Sequence, residues 1–144
     1  MITRIGVALA LLLATSRVVA TPWVAYGQNT MRANSNLDNP QVNLAGTLEE
    51  VALPYIVPEG MCLTIEGWGV EGVGSRAGLI PWLGYPPATN PQTLPTATSL
   101  EHTSHVFGRW ILGPGTVLNV RLVYTGRANG TVIGWHIWGT LNEC

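Results

Sequence analysis

The sequence predicts an all-β domain, an antiparallel β-sandwich, and three observations carry that expectation. Met61 to Val70 and Thr116 to Tyr124 alternate apolar and polar residues at period two, the pattern of half-buried strands. Asn129-Gly130 lies between two such runs and reads as a tight turn. The composition, low in charge with six Trp and 17 Gly, fits a compact β-rich domain rather than a disordered chain.

The 144 residues bound one domain. Residues 1–20 have the layout of a secretory signal peptide: Arg4, an apolar run from Ile5 to Ala14, and small Ala20 before Thr21. The run is shorter than the roughly 20 residues a transmembrane helix needs. Cleavage there removes Arg4 and Arg17 and keeps all eight acidic residues. The mature chain, residues 21–144, is then mildly acidic and free of lysine, without the basic footprint that nucleic acid or anionic lipid requires. The expected location is extracellular or periplasmic, with no membrane attachment after cleavage.

Taken in order, residues 21–43 read as an N-terminal arm, lying on the sandwich or exchanged with a neighbouring copy. Val42 to Val51 reads as an edge strand. Leu53 to Val57 is a short strand holding Pro54, hence at an edge or a strand start. Pro58-Glu59-Gly60 is a turn into the strand from Met61. In that strand Trp68 falls out of phase with Met61, Leu63 and Ile65, which predicts a bulge or twist near Gly67 to Gly69. Leu79 to Tyr85 is apolar but broken by Pro81 and Gly84, Pro86 to Ser99 is a Pro/Thr-rich loop, and His102 to Leu112 returns to strand.

The last two strands are expected to pair as a hairpin about Asn129-Gly130. That register sets Tyr124 opposite Trp135, Leu122 opposite Ile137 and Leu118 opposite Leu141 on a core face. It sets Arg121 opposite Trp138 and Val123 opposite His136 on an outer, semi-polar face.

Val57 to Glu66 and Leu112 to Arg121 form a quasi-repeat: an apolar residue, a Pro/Gly turn, then an alternating strand ending on a charge. The two turns, with the final Gly134-Trp135-His136-Ile137-Trp138-Gly139 strand, resemble secreted jelly-roll proteins, including cupin-like ones. The resemblance implies a sandwich of jelly-roll type. It also implies no cupin metal site, because Leu63 and Leu118 stand where the family places a metal-binding histidine after the turn.

Cys62 and Cys144 are expected to form one disulfide, tying down the C-terminus. No catalytic constellation is evident. No Gly-x-Ser-x-Gly or phosphate-binding motif is present, and Glu66 and Glu71 flank Trp68 as solvated acids rather than as a glycosidase pair. His102, His105 and His136 are expected as surface or hydrogen-bonded side chains rather than a metal set, since His102 and His105 point to opposite faces of a strand. No cofactor is expected. The binding residues to weigh are Trp68, Trp82, Tyr85 and Trp110, which surround the irregular middle and form either an aromatic platform or part of the core. The expected function is a secreted, non-catalytic binding module for carbohydrate or a protein surface. The alternatives are a self-assembling homo-oligomeric subunit and a small hydrolase or metal-dependent cupin-like enzyme.

Overall fold

A computed structural model of the chain describes residues 20–43, 51–72, 76–84, 92–99 and 103–144. The expected signal peptide and part of the expected Val42 to Val51 strand lie outside the described residues. The described residues form ten strands: β1 (Thr21–Met31), β2 (Ser35–Asp38), β3 (Tyr55–Ile56), β4 (Met61–Gly72), β5 (Arg76–Leu83), β6 (Gln92–Thr93), β7 (Ala97–Ser99), β8 (Thr103–Leu112), β9 (Val117–Thr125) and β10 (Thr131–Glu143). There is no helix among the described residues. Sheet A runs β1-β10-β4-β8 and sheet B runs β2-β9-β5-β6, with β3 also on β9 and β7 also on β5. All pairings are antiparallel. The fold is an antiparallel β-sandwich, as the sequence predicts.

The core lies between the sheets. Sheet A contributes Trp23, Ala25, Leu63, Ile65, Trp68, Val70, Ile133, Trp135, Ile137 and Leu141; sheet B contributes Ala77, Leu79, Leu118, Val120, Leu122 and Tyr124. Every one of these obeys the period-two rule within its strand except at one place. Leu63 and Ile65 face the core in one phase and Trp68 and Val70 in the other, because Glu66 is an extra residue against β10 and the register also shifts against β8. This bulge, just ahead of the expected position, turns Trp68 inward to complete burial.

The expected hairpin is not formed. β9 belongs to sheet B and β10 to sheet A, so the two strands face each other across the core instead of pairing edge to edge. β10 pairs β1 on one side and β4 on the other. The expected core face is correct: Leu118, Leu122, Tyr124, Trp135, Ile137 and Leu141 are all buried. The expected outer face is not one surface, since His136 and Trp138 lie on sheet A, and Arg121 and Val123 on sheet B.

The turn residues bond to a second loop that crosses between the sheets. The Ala33 amide donates to the Asn129 side chain at 2.9 Å, the Gly130 amide to the Met31 carbonyl at 2.9 Å, and the Asn34 amide to the Gly126 carbonyl at 3.1 Å. Residues 32–34 join β1 to β2 as residues 126–130 join β9 to β10, so two arches stack at one end of the sandwich. Residues 21–43, expected as an arm, are therefore built into both sheets, and β1 alone pairs β10 over eleven residues.

The quasi-repeat is visible in the turns. Gly60 and Gly115 both have positive φ, at 74° and 76°. Met61 donates to the Pro58 carbonyl and Thr116 to that of Gly113, the same closure in each turn. One turn leads into β4, central in sheet A, and the other into β9, central in sheet B.

Leu79 to Tyr85, expected as a broken segment, is mostly β5 at the heart of sheet B. Pro81 is accommodated because β7 pairs residues 77–79 and β6 pairs 82–83, leaving position 81 between the two ladders. The disulfide Cys62–Cys144 is present, with an S–S distance of 2.00 Å, and clips the end of β10 to the start of β4.

Candidate functional site

The outer face of sheet A is a grid of rings and glycines. Reading across β4, β10 and β1, one row is Glu71, Gly134 and Gln28; with β8 included, the next is His105, Gly69, His136 and Tyr26, and the third is Phe107, Gly67, Trp138 and Val24. Directly opposite residues share a face, so each row presents its side chains together. The two glycines of β4 sit between large rings on both neighbouring strands.

Those glycines decide the geometry. A Cβ at Gly67 would collide with the Trp138 indole, and one at Gly69 with both the His105 and the His136 imidazoles. The rings from β8 and β10 therefore lean over β4 and meet. His136 and Trp138 are stacked, with centroids 5.2 Å apart and planes at 23°. His105 and His136 are 5.1 Å apart, His105 and Phe107 5.8 Å, and Phe107 and Trp138 5.7 Å. The result is a four-ring platform. It stays open to solvent on the β8 side: Phe107 is 75% exposed and Ile111, farther along the same strand, 60%.

A groove of ≈ 440 Å³ adjoins the platform, lined by Tyr26, Gln28, Asn43, Glu71, Gly134 and His136 among others. Gly134 forms its floor between Glu71 and Gln28. The Asn43 amide donates to the Tyr26 carbonyl at 2.8 Å, which holds residue 43 at the groove's β1 rim. His136 belongs to both features, walling the groove and stacking on Trp138. Its pKa is pushed below the ordinary imidazole value, first by burial and then by the charge of His105, with Glu71 opposing. The neutral form is thereby favoured in the middle of the face.

The described members of the aromatic set weighed from the sequence, Trp68, Trp82 and Trp110, are not part of this four-ring platform. Trp68 is fully buried and packs on half-buried Trp110 at 4.4 Å, with its indole N–H donating to the Pro95 carbonyl at 3.0 Å. Both are core, because the bulge turns position 68 inward. Trp82 is on sheet B, opposite Asn119 and Thr93. Tyr85 and His102 lie outside the described residues. Of the three histidines, His105 and His136 come together, but no group of three or more His, Cys, Asp or Glu among the described residues is arranged for a metal ion. Glu66, at the bulge, is exposed; Glu71 lines the groove.

Phe107 and Tyr26 escape a single-strand reading, because nothing within β8 or β1 marks them, and His105 stands out in the sequence only as a histidine near His102. The signal is in the register: Gly67-x-Gly69 on one strand beside His136-x-Trp138 on the next.

The opposite outer face, on sheet B, is different in kind. It carries the exposed Arg121–Asp38 ion pair, whose two N–H···O contacts are 2.6 and 3.0 Å, and that bond holds the Asp38 carboxyl below its ordinary range. No helix among the described residues is long and apolar enough to cross a membrane. No protein-family model matches the chain, and no curated protein matches it.

Proposed function

We propose that this chain is an exported, non-catalytic binding module whose ligand face is the outer face of sheet A. The observation that carries the reading is the ring platform of His105, Phe107, His136 and Trp138, held over Gly67 and Gly69 beside a polar groove. A sandwich needs only its inner faces for stability; rings gathered on an outer face, with Phe107 largely exposed, mark a surface that another molecule covers. Export is supported by the leader-like first twenty residues and by the disulfide, which persists in an oxidising compartment. The mature chain is mildly acidic and free of lysine, a charge balance unsuited to nucleic acid.

The test is retention of the mature protein on a panel of insoluble polysaccharides and immobilised cell-surface glycoproteins. Wild type is expected to be held by at least one matrix, Trp138→Ala to be released, and Ile56→Ala, an exposed position on sheet B, to behave as wild type. Retention of Trp138→Ala equal to wild type would sink the assignment of the face.

A further inference from the structure

The groove and platform share His136, so a ligand lying across both meets two chemistries at once. On the platform side it meets the stacked rings of Trp138 and His136. On the groove side it meets the amides of Gln28 and Asn43 and the carboxylate of Glu71, over a floor that Gly134 keeps free of any side chain. A volume of ≈ 440 Å³ falls within the roughly 300–1,000 Å³ of small-molecule sites. Among the described residues no arginine lines the groove, and Glu71 puts negative charge in it, which disfavours anionic ligands. The matching ligand has one flat apolar face and a rim of uncharged hydroxyls. A pyranose ring has that form: its axial C–H bonds pack on an aromatic ring, and its hydroxyls donate to carboxylate and amide oxygens and accept from amide N–H groups.

We infer that the groove and the Trp138–His136 stack together form a subsite for a neutral saccharide, with Gln28, Asn43 and Glu71 taking its hydroxyls. This rests on the outer face of sheet A being the ligand face. Phe107 extends the platform beyond the groove, so a second sugar unit of an oligosaccharide lies over it and a chain binds more tightly than a monosaccharide.

The experiment is calorimetric titration of the mature protein with soluble gluco-, manno-, galacto- and N-acetylchito-oligosaccharides. Three variants accompany wild type: Gly134→Leu, Trp138→Ala and Phe107→Ala. Gly134→Leu fills the groove where a Cβ meets only Glu71, at 3.7 Å, so the backbone has room for it. Near-ultraviolet circular dichroism verifies the fold of each. The expected result is saturable one-to-one binding of one oligosaccharide class, at least tenfold weaker in both Gly134→Leu and Trp138→Ala, with Phe107→Ala affecting the longer chains only. Binding weakened by Trp138→Ala but untouched by Gly134→Leu overturns the groove and leaves the ligand face standing. Absence of any neutral-sugar binding, alongside Trp138-dependent retention on a glycoprotein or a charged polymer, overturns the saccharide and again leaves the face. Loss of the face itself appears separately, as Trp138-independent behaviour in every assay.

Discussion

The indole of Trp138 occupies the space that a side chain at position 67 would fill, so Gly67 and Trp138 act as one unit across two strands. Gly67→Ala must therefore expel the indole or push the strands apart. Overpacking of this kind costs about 1–3 kcal/mol. Gly134→Ala is the control, because its nearest neighbours are ordinary contacts with Glu71. Equilibrium urea unfolding is expected to show a clear loss for Gly67→Ala and little change for Gly134→Ala. The emission of Gly67→Ala should also shift to the red as Trp138 moves into water. Equal stability of the two glycine variants would contradict the unit.

The faces of the strands were legible in the sequence and their partners were not, and the last two strands show why. Alternation states which side of a strand is apolar; it does not state whether that side is shared with a ladder neighbour or faces a strand across the core. Leu122 and Ile137 are buried in either arrangement. What selects the arch is a loop far away in sequence: Ala33 and Met31 bond to the Asn129-Gly130 segment, and β1 and β4 fill both edges of β10. Tyr124 adds to this, its hydroxyl meeting the Ala128 carbonyl at 3.2 Å and the Thr131 hydroxyl at 3.0 Å. The same limit hid the site. Trp68 looks like a binding residue only if the strand is regular, and Trp138 gains its role from a glycine on a strand some seventy residues earlier.

Cys62 and Cys144 join two ends that the β4–β10 ladder already brings together, with a Cα–Cα distance of 5.1 Å over 82 residues of chain. The bond therefore acts chiefly on the unfolded chain. In the chain-entropy model a loop of that length is worth up to about 4–5 kcal/mol. Reduction, or the Cys62→Ser/Cys144→Ser variant, is expected to lower the thermal midpoint substantially and leave the native far-ultraviolet spectrum unchanged below it. A midpoint insensitive to reductant would show that the cross-link restrains nothing.

Asn119 is fully buried on the outer side of β9, and it is kept there by hydrogen bonds. Its amide donates to the Gly84 carbonyl at 2.6 Å, and its oxygen accepts from the Asn39 amide at 3.0 Å. Asn39, at φ 48°, accepts in turn from the Val120 backbone at 3.0 Å. Asn119→Ala leaves the part-buried Gly84 carbonyl and Asn39 amide without this partner, at up to about 1–3 kcal/mol for an unsatisfied group. Asn39→Ala loses the same partner and also places alanine in the left-handed region. Asn39→Gly removes the partner without that backbone cost, so it is expected to fall between wild type and Asn39→Ala in urea unfolding. If Asn39→Gly proves the least stable of the three, the backbone part of this account is wrong.

His136 sits where fold, platform and groove meet, so its titration reports on all three. Burial holds its pKa below the ordinary value, the charge of His105 lowers it further, and Glu71 raises it. The unfolded chain then takes up a proton at higher pH than the folded one. The contribution to stability is intact above the unfolded imidazole pKa, near 6.5, and is lost as pH falls from there through the lowered folded value. Proton NMR of the imidazole should give a midpoint below that of a free histidine. Glu71→Gln is expected to lower the midpoint further, and His105→Ala to raise it. Ligand retention should fall over the same acidic window, since protonation puts charge on the ring stacked against Trp138. A midpoint that ignores both substitutions would mean that the two imidazoles and the carboxylate do not sense one another, and the face would not be the coupled surface described here.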